Sequence, residues 1–273
     1  MAKIVSVFFF LLAHPTIFAQ LISGRITTEK NGNGLAFASI GIIGTDFGTL
    51  TNEDGFFKLN VAGQSLSSTL RVSMIGYKPQ RFLINDLVGH ENMIKLKENI
   101  TELKEVVIKT KKVKQKTLGG KSSSFFTVTG WGQFGNGGER GTLITIKKNI
   151  LVEKVSFHIA YLGYDSVLLR LHIRDVVSGE PENELLNENI LKVARSTGWH
   201  EINLTKYNLA YEKNIVVTLE WIKAWGKYKD VRNNGLKFSI NWFKGPIFAK
   251  EAGESKWIIY KKWQPGIYLT VLE

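Results

Sequence analysis

The residues best suited to bind a ligand lie in one segment, 223–235, with the sequence KAWGKYKDVRNNG. Trp225 and Tyr228 stand there among cations that include Lys227 and Arg232. An aromatic face can stack on a sugar ring, and neighbouring cations suit acidic sugars. Long loops between rigid strands often carry functional side chains. We therefore predict a binding site at Trp225, Tyr228, Lys227 and Arg232. Packing of Trp225 at the rim of its domain is the simpler interpretation, and both stay open.

Sequence motifs for catalysis and for metal binding are missing. The histidines after residue 20 begin HENM, HIAY, HIRD and HEIN, so none has the glutamate three residues on that a zinc carboxypeptidase needs, and HExxH is absent. GxSxG and GxxxxGK[ST] are absent as well. Asn52, Glu53 and Asp54 lack the spacing of a calcium loop and are typical of a hairpin turn. Glu201 and Glu220 could form a carboxylate pair for glycoside hydrolysis, but such pairs are common in β-proteins. We therefore expect no enzyme, no catalytic residue, no metal and no cofactor.

Two further histidines could be brought together by neighbouring strands. Residues 154–160 and 167–174 alternate apolar and polar side chains, and LGYD at 162–165 could turn one run into the other. That pairing would set His158 near His172 on the outward face, beside Arg170. Two histidines can bind a metal, but a third ligand is not evident. A polar face, either solvated or between domains, is the favoured interpretation.

The alternation continues along the chain and predicts an all-β protein. The first half contains short strand-like runs at 22–27, 36–43, 56–61, 69–74, 93–96 and 103–108. Turn residues such as Asp54-Gly55 separate them, and Gly76 also indicates a backbone conformation that favours glycine. The second half continues with runs at 125–129, 141–146, 154–160, 167–174, 198–203, 214–222, 236–242, 257–260 and 266–271. We predict two β-sandwiches, the second larger and jelly-roll-like.

Composition divides the chain at a lysine-rich block. All seven tryptophans follow residue 130, and the segment 104–121 carries seven lysines against one glutamate. The expected organisation is a segment 1–19, a first domain 20–108, a linker 109–121 and a Trp-rich domain 122–273. The block is interpreted as a solvated connector, with an anion-binding strip as the alternative.

The first residues predict export. Lys3 precedes an apolar run at 4–13, and a small residue, Ala19, follows, which is typical of a secretory signal peptide cleaved after Ala19 or one residue later. The run is shorter than the roughly 20 residues needed to span a bilayer. No second apolar run of that length follows, so no transmembrane segment is expected after cleavage. Cysteine is absent, which excludes disulfides, thiolate metal sites and an acylated-cysteine anchor.

Five phrases of the first half resemble a known family. ISGRI (22–26), GLAFASIGIIGT (34–45), GTLTNEDGFFKL (48–59), LRVSMIGYKP (70–79) and LKEVVI (103–108) are similar in order and spacing to the carboxypeptidase-like regulatory domain. The resemblance implies a transthyretin-like, seven-stranded β-sandwich. Such modules precede the barrels of outer-membrane transporters, but the roughly 150 residues that follow here are too few for a large barrel. The second half resembles the corresponding part of exported proteins of Gram-negative bacteria that carry this domain, and its likeness to carbohydrate-binding jelly rolls is an architectural analogy.

Together these observations predict an exported, non-catalytic binding or adhesion protein of the bacterial envelope, in the periplasm or at the outer surface. The alternative is a carbohydrate-binding protein whose Trp-rich domain holds an acidic glycan. The net charge of +12 favours an anionic partner. Export makes an envelope protein or a cell-surface glycan the expected partner and argues against nucleic acid.

Overall fold

A computed structural model describes residues 20–99, 113–131, 137–226, 228, 235–242 and 244–273. Their regular structure consists of β-strands and two single turns of 3-10 helix, at Ile84–Asp86 and Thr205–Tyr207. Within them, no helix is long and apolar enough to cross a bilayer. The predicted signal peptide and the predicted strand 103–108 lie outside the described residues.

The first domain is a sandwich of seven short strands, as predicted. One sheet has the order β4-β1-β7 and the other the order β3-β2-β5-β6. Alternate residues of β1, β2, β4, β5 and β7, such as Ile22 and Ile26 of β1, point into a common apolar core. Strands β3 and β6 were not predicted, because they are three and four residues long and bury no side chain completely. The strands are β1 Leu21–Thr28, β2 Ser39–Ile42, β3 Gly48–Leu50, β4 Phe56–Asn60, β5 Thr69–Ser73, β6 Gln80–Leu83 and β7 Glu91–Leu96.

The second domain is a larger sandwich of a seven-stranded and an eight-stranded sheet. The first has the order β13-β12-β17-β10-β19-β20 with β14 beside β12, and the second has the order β21-β18-β11-β22-β8 with β9, β15 and β16 attached. The strands are β8 Gln115–Gly119, β9 Val128–Trp131, β10 Glu139–Ile144, β11 Ile150–Leu162, β12 Ser166–Val177, β13 Glu180–Glu184, β14 Leu191–Ala194, β15 Gly198–Asn203, β16 Ala210–Tyr211, β17 Ile215–Trp225, β18 Leu236–Trp242, β19 Ile247–Lys250, β20 Ile258–Tyr260, β21 Trp263–Pro265 and β22 Ile267–Leu272.

Strands β11 and β12 do not form the predicted hairpin. They lie in opposite sheets, where β11 pairs with β15, β18 and β22 while β12 pairs with β13, β14 and β17. The connection crosses between the sheets, and the Asp165 amide donates to the Trp225 carbonyl on β17 at 3.0 Å. A hairpin and a crossing between sheets require the same alternation of apolar residues, so the pattern alone could not distinguish them.

Part of the predicted linker is a strand. Within 109–121, Gln115–Gly119 forms β8, which pairs with β22 along its whole length. Lys116 forms an ion pair with Glu273, and the Lys114 amide donates to the Glu273 carbonyl at 3.0 Å. Exposed lysines are common on edge strands because they hinder pairing with another sheet. The composition of a solvated connector is therefore also that of this edge strand, while residues 109–112 lie outside the described residues.

Several contacts join the two sandwiches along a seam. Arg71 on β5 forms an ion pair with Glu254 at 2.7 Å, and the Gly44 amide donates to the Glu254 carbonyl at 2.9 Å. Ile75 of the first domain is buried in the apolar cluster of the second. The seam therefore combines polar contacts with apolar packing, and the domains touch directly.

Gly76 has two reasons to be glycine. Its φ is +83°, as the sequence suggested, and an added Cβ would lie 2.5 Å from the Asn187 carbonyl oxygen of the second domain. We expect Gly76→Ala to lower the free energy of unfolding, measured by urea denaturation, by more than the roughly 1–2 kcal/mol of a left-handed conformation. Gly63→Ala is the matched control, because its φ is +79° and nothing lies within 4 Å of the added Cβ. Equal losses in the two variants would mean that the approach to Asn187 has no cost.

Candidate functional site: a charged network and a cavity between the domains

Strands β10, β12 and β17 position a charged network on the polar face of the seven-stranded sheet. Their apolar residues fill the core of the second domain, so the alternate polar residues point to the opposite face. Strand pairing sets Arg170 opposite Glu220, and Glu220 opposite Glu139. All three are at most 3% exposed. Charges that are buried so completely need partners close by.

Arg174 and Glu139 form the central ion pair. The Arg174 Nη1 donates to Glu139 Oε2 at 2.5 Å and its Nη2 donates to Oε1 at 3.0 Å, which is the bidentate geometry that guanidinium groups favour. Burial alone would raise the pKa of the Glu139 carboxyl, but Arg174, His172 and Lys250 lower it well below its usual range. Burial likewise disfavours charge on Arg174, yet Glu139 and Glu184 raise its pKa. Both groups are therefore charged at every ordinary pH.

His172 lies between two carboxylates. Its Nδ1 is 2.6 Å from Glu184 Oε2 and its Nε2 is 2.9 Å from Glu220 Oε2. Burial and the nearby Arg174 disfavour the imidazolium, but Glu139 and Glu184 outweigh them, so the pKa of His172 is raised. A neutral imidazole can donate to one carboxylate, whereas an imidazolium donates to both. The carboxylates at both ring nitrogens agree with the raised pKa, whereas the Arg174 Nη2, which lies 2.9 Å from Nδ1, opposes protonation there.

His172 makes stability depend on pH. Because its folded-state pKa is above the unfolded value of about 6.5, the stabilisation is complete below that value and is lost as pH rises through the folded pKa. Between the two pKa values the free energy of unfolding falls by at most about 1.4 kcal/mol for each step of one in pH. We expect the free energy of unfolding of the parent protein to fall more steeply than that of His172→Gln as pH rises above about 6.5. His90→Gln, at an exposed histidine, is the control and should follow the parent. Parallel curves for parent and His172→Gln would contradict this prediction.

Arg170 connects the network to the first domain. Its Nη1 is 3.4 Å from Glu220 Oε2, and its Nη2 donates to the Phe37 carbonyl of the first domain. Phe37 has a φ of +61°, a conformation that is strained for a residue with a side chain. The third nitrogen of the guanidinium, Nε, is buried and has no hydrogen-bond partner among the described residues.

A cavity of about 430 Å³ lies over this network. Its walls come from both domains and include Arg71, Ser73 and Tyr77 of the first and Arg170, His172 and Trp257 of the second. The half-buried Trp257 is held by a hydrogen bond from its Nε1 to the Pro181 carbonyl at 3.0 Å. The Lys250 ammonium lies 4.7 Å and the Arg174 guanidinium 5.6 Å from its ring centre. The cavity therefore combines an aromatic wall with charged groups that are already partnered.

The predicted site at 223–235 is described in part. Trp225 ends β17 with 37% of its surface exposed, and the Lys223 ammonium lies 5.2 Å from its ring centre. Tyr228 packs against Tyr164 with ring centres 5.3 Å apart. Lys227 and Arg232 lie outside the described residues. Trp225 is thus available at the surface, while Tyr228 contacts the body of the domain, and binding at this site stays a prediction.

Other side chains considered in the sequence lie apart. His158 is buried in the eight-stranded sheet, where its Nδ1 is 2.7 Å from Ser239 Oγ, and burial lowers its pKa. It is therefore not paired with His172, which corrects the predicted arrangement. Glu201 lies on β15 and pairs with Lys154 at 3.1 Å, in the sheet opposite that of Glu220. The described residues contain no group of three or more acidic or histidine side chains arranged to hold a metal.

Sequence reasoning found half of the network. The alternation in 167–174 placed Arg170, His172 and Arg174 on one polar face, and an inter-domain face was one of the two interpretations retained. It missed Glu139 and Glu184 and considered Glu220 only as a partner of Glu201; the three carboxylates lie on three other strands. The sequence of β12 could have predicted carboxylates nearby. Its cations recur at every second residue of an otherwise apolar strand, and buried cations require carboxylates as partners.

Comparison with known proteins identifies the first domain. Residues 22–108 match the family model described as CarboxypepD_reg-like domain, which confirms the resemblance seen in the sequence. The chain thus consists of two β-sandwiches, of which the first is similar to a domain of regulatory type. The match does not extend to the second domain, and no curated protein matches the chain.

The comparison with solved structures returned, among others, two viral particles. The VP2 subviral particle of infectious bursal disease virus is 9% identical, with a TM-score of 0.22 over 92% of this chain and 55% of that chain. The T13 particle of the same virus is 9% identical, with a TM-score of 0.22 over 92% of this chain and 61% of that chain. This chain thus spans less than two thirds of either viral chain. At these TM-scores the similarity implies nothing about function.

Proposed function

We propose that this is an exported, non-catalytic binding protein of the bacterial cell envelope, in which the regulatory-type domain is the structural partner of the larger sandwich. The main support is the seam, where the first domain covers the charged face of the second and encloses a cavity with it. A loosely attached module would not share a cavity with its neighbour, nor accept a hydrogen bond from the buried Arg170 of that neighbour. The family of the first domain agrees with a role other than catalysis.

The location rests on the first nineteen residues. Their pattern of one lysine, an apolar run and a terminal small residue supports cleavage and export by a Gram-negative bacterium, to the periplasm or the outer surface. The net charge of +12 supports an anionic partner in that compartment, either an envelope protein or a surface glycan.

Export is tested by expressing the full chain in a Gram-negative host and sequencing the amino terminus of the recovered protein. We expect the mature chain to begin at Gln20 or Leu21 and to fractionate with the envelope. Leu11→Arg should block processing, because a charge interrupts the apolar run, whereas Leu11→Val should be processed normally. A parent protein that keeps Met1 and stays in the cytoplasm would disprove export.

A second candidate function is binding of an acidic glycan by the second domain. One observation favours it, namely that the exposed face of Trp225 lies beside the Lys223 ammonium. A glycan array probed with residues 20–273 should then show saturable binding at physiological salt, reduced in Trp225→Ala and retained in Trp242→Ala, a second exposed tryptophan. Binding at low salt alone would be nonspecific attraction to a basic protein and would reject this candidate.

A further inference from the structure

We propose that the cavity between the domains binds a neutral, polyhydroxylated ligand of one or two sugar rings, held by both domains at once. The inference rests on the proposed binding function and gives it a site and a ligand class. This site is distinct from the segment around Trp225, whose exposed tryptophan and lysine suit an acidic glycan. Size is the first argument, because about 430 Å³ lies within the usual range of small-molecule pockets.

Charge balance selects a neutral ligand. Most carboxylates around the cavity are paired with cations: Glu139 with Arg174, Glu220 with Arg170 and His172, and Glu254 with Arg71. A ligand with net charge would add an uncompensated charge to a largely buried site, and such a charge is costly. A neutral ligand avoids this cost and can still form hydrogen bonds to charged groups, which are stronger than those between neutral groups.

Hydroxyl groups match the donors and acceptors of the wall. A hydroxyl donates one hydrogen bond and accepts two, so it can bridge a guanidinium and a carboxylate that already face each other. The cavity has such pairs on its floor, and Ser73 and Tyr77 contribute hydroxyls from the first domain. The Arg170 Nε–H is a buried donor without an acceptor among the described residues, so a ligand oxygen reaches it only if the cavity wall shifts.

Trp257 supplies the apolar surface that a sugar ring needs. The C–H face of a pyranose packs against an aromatic ring, and Trp257 lines the cavity with its indole fixed by the hydrogen bond to Pro181. Lys250 and Arg174, close to the same ring, provide donors for hydroxyls at the edge of the sugar. An aromatic wall beside converging polar groups is the usual composition of a ligand pocket.

The experiment titrates residues 20–273 with glucose, galactose, N-acetylglucosamine and maltose. Isothermal calorimetry measures binding, and the midpoint of thermal unfolding, measured with and without each sugar, reports stabilisation. We expect saturable binding of at least one neutral probe and a rise in the midpoint, because a ligand that contacts both domains stabilises the folded state. Glucuronic acid and glucosamine carry one charge each and should bind at least tenfold more weakly than their neutral counterparts.

Variants assign the binding to the cavity. Trp257→Ala should weaken binding at least tenfold, Trp257→Phe should keep most of it, and Trp242→Ala, at an exposed tryptophan away from the cavity, should change nothing. A binding constant that is unaffected by Trp257→Ala but lost in Trp225→Ala would overturn the cavity site and leave the binding function standing. Absence of saturable binding by every neutral probe, or tighter binding of a charged one, would overturn the ligand class. Neither result depends on export, which the processing experiment tests separately.

Discussion

Glu139→Ala is expected to lower the free energy of unfolding by about 3–5 kcal/mol, the usual cost of removing one partner of a buried ion pair. Glu139 is 3% exposed and accepts both hydrogen bonds of the bidentate contact from Arg174. Its loss leaves the Arg174 guanidinium charged in a buried site, because the high pKa of that group prevents it from releasing a proton. Urea denaturation followed by tryptophan fluorescence measures this effect, since all seven tryptophans lie in the second domain.

Two further variants make this prediction specific. Glu201→Ala removes a carboxylate from an ion pair whose two side chains are both more than 40% exposed, and should cost less than about 1 kcal/mol. The double replacement Glu139→Leu with Arg174→Met removes both charges, and should recover a large part of the loss because buried pairs can often be replaced by apolar residues. If Glu139→Ala were as stable as Glu201→Ala, the network could not be a buried one.

Arg170→Met is expected to have a comparable cost, about 3–5 kcal/mol, and to weaken the coupling between the domains as well. Arg170 is 1% exposed, faces Glu220 and donates to the Phe37 carbonyl across the seam. After its removal Glu220 keeps His172 as its partner, and the strained backbone at Phe37 loses the donor that holds it. We expect thermal unfolding, followed by calorimetry, to separate into two transitions, where the parent protein should show one.

The control for Arg170 is a second contact across the same seam. Lys223 forms an ion pair with Glu53 of the first domain at 2.8 Å, but 39% and 65% of these side chains are exposed. Lys223→Met should therefore leave a single transition and change stability by less than about 1 kcal/mol. Two transitions in Lys223→Met, or one in Arg170→Met, would show that the buried network does not couple the domains.

The local pattern of apolar residues was sufficient to predict the fold class and most strands. Residues such as Leu70 and Val72, or Val217 and Leu219, recur at every second position, and most such runs within the described residues are strands with one face in a core. The first domain could also be identified, because its turns and strands follow one another in an order shared with a family. These features are local in the chain, so the sequence determined them by itself.

The positions of the functional groups depended on pairing between distant strands. The alternation in β11 and β12 would be the same whether the two strands formed a hairpin or lay in different sheets. Because they lie in different sheets, His158 and His172 are apart and His172 contacts Glu220. Likewise, a lysine-rich segment is compatible with a connector and with an edge strand. Residues 115–119 form an edge strand because they pair with β22. The charged network and the cavity arise where separate strands and two domains meet. The tertiary structure alone decided these, because the energies that select one pairing come from contacts between residues far apart in the chain.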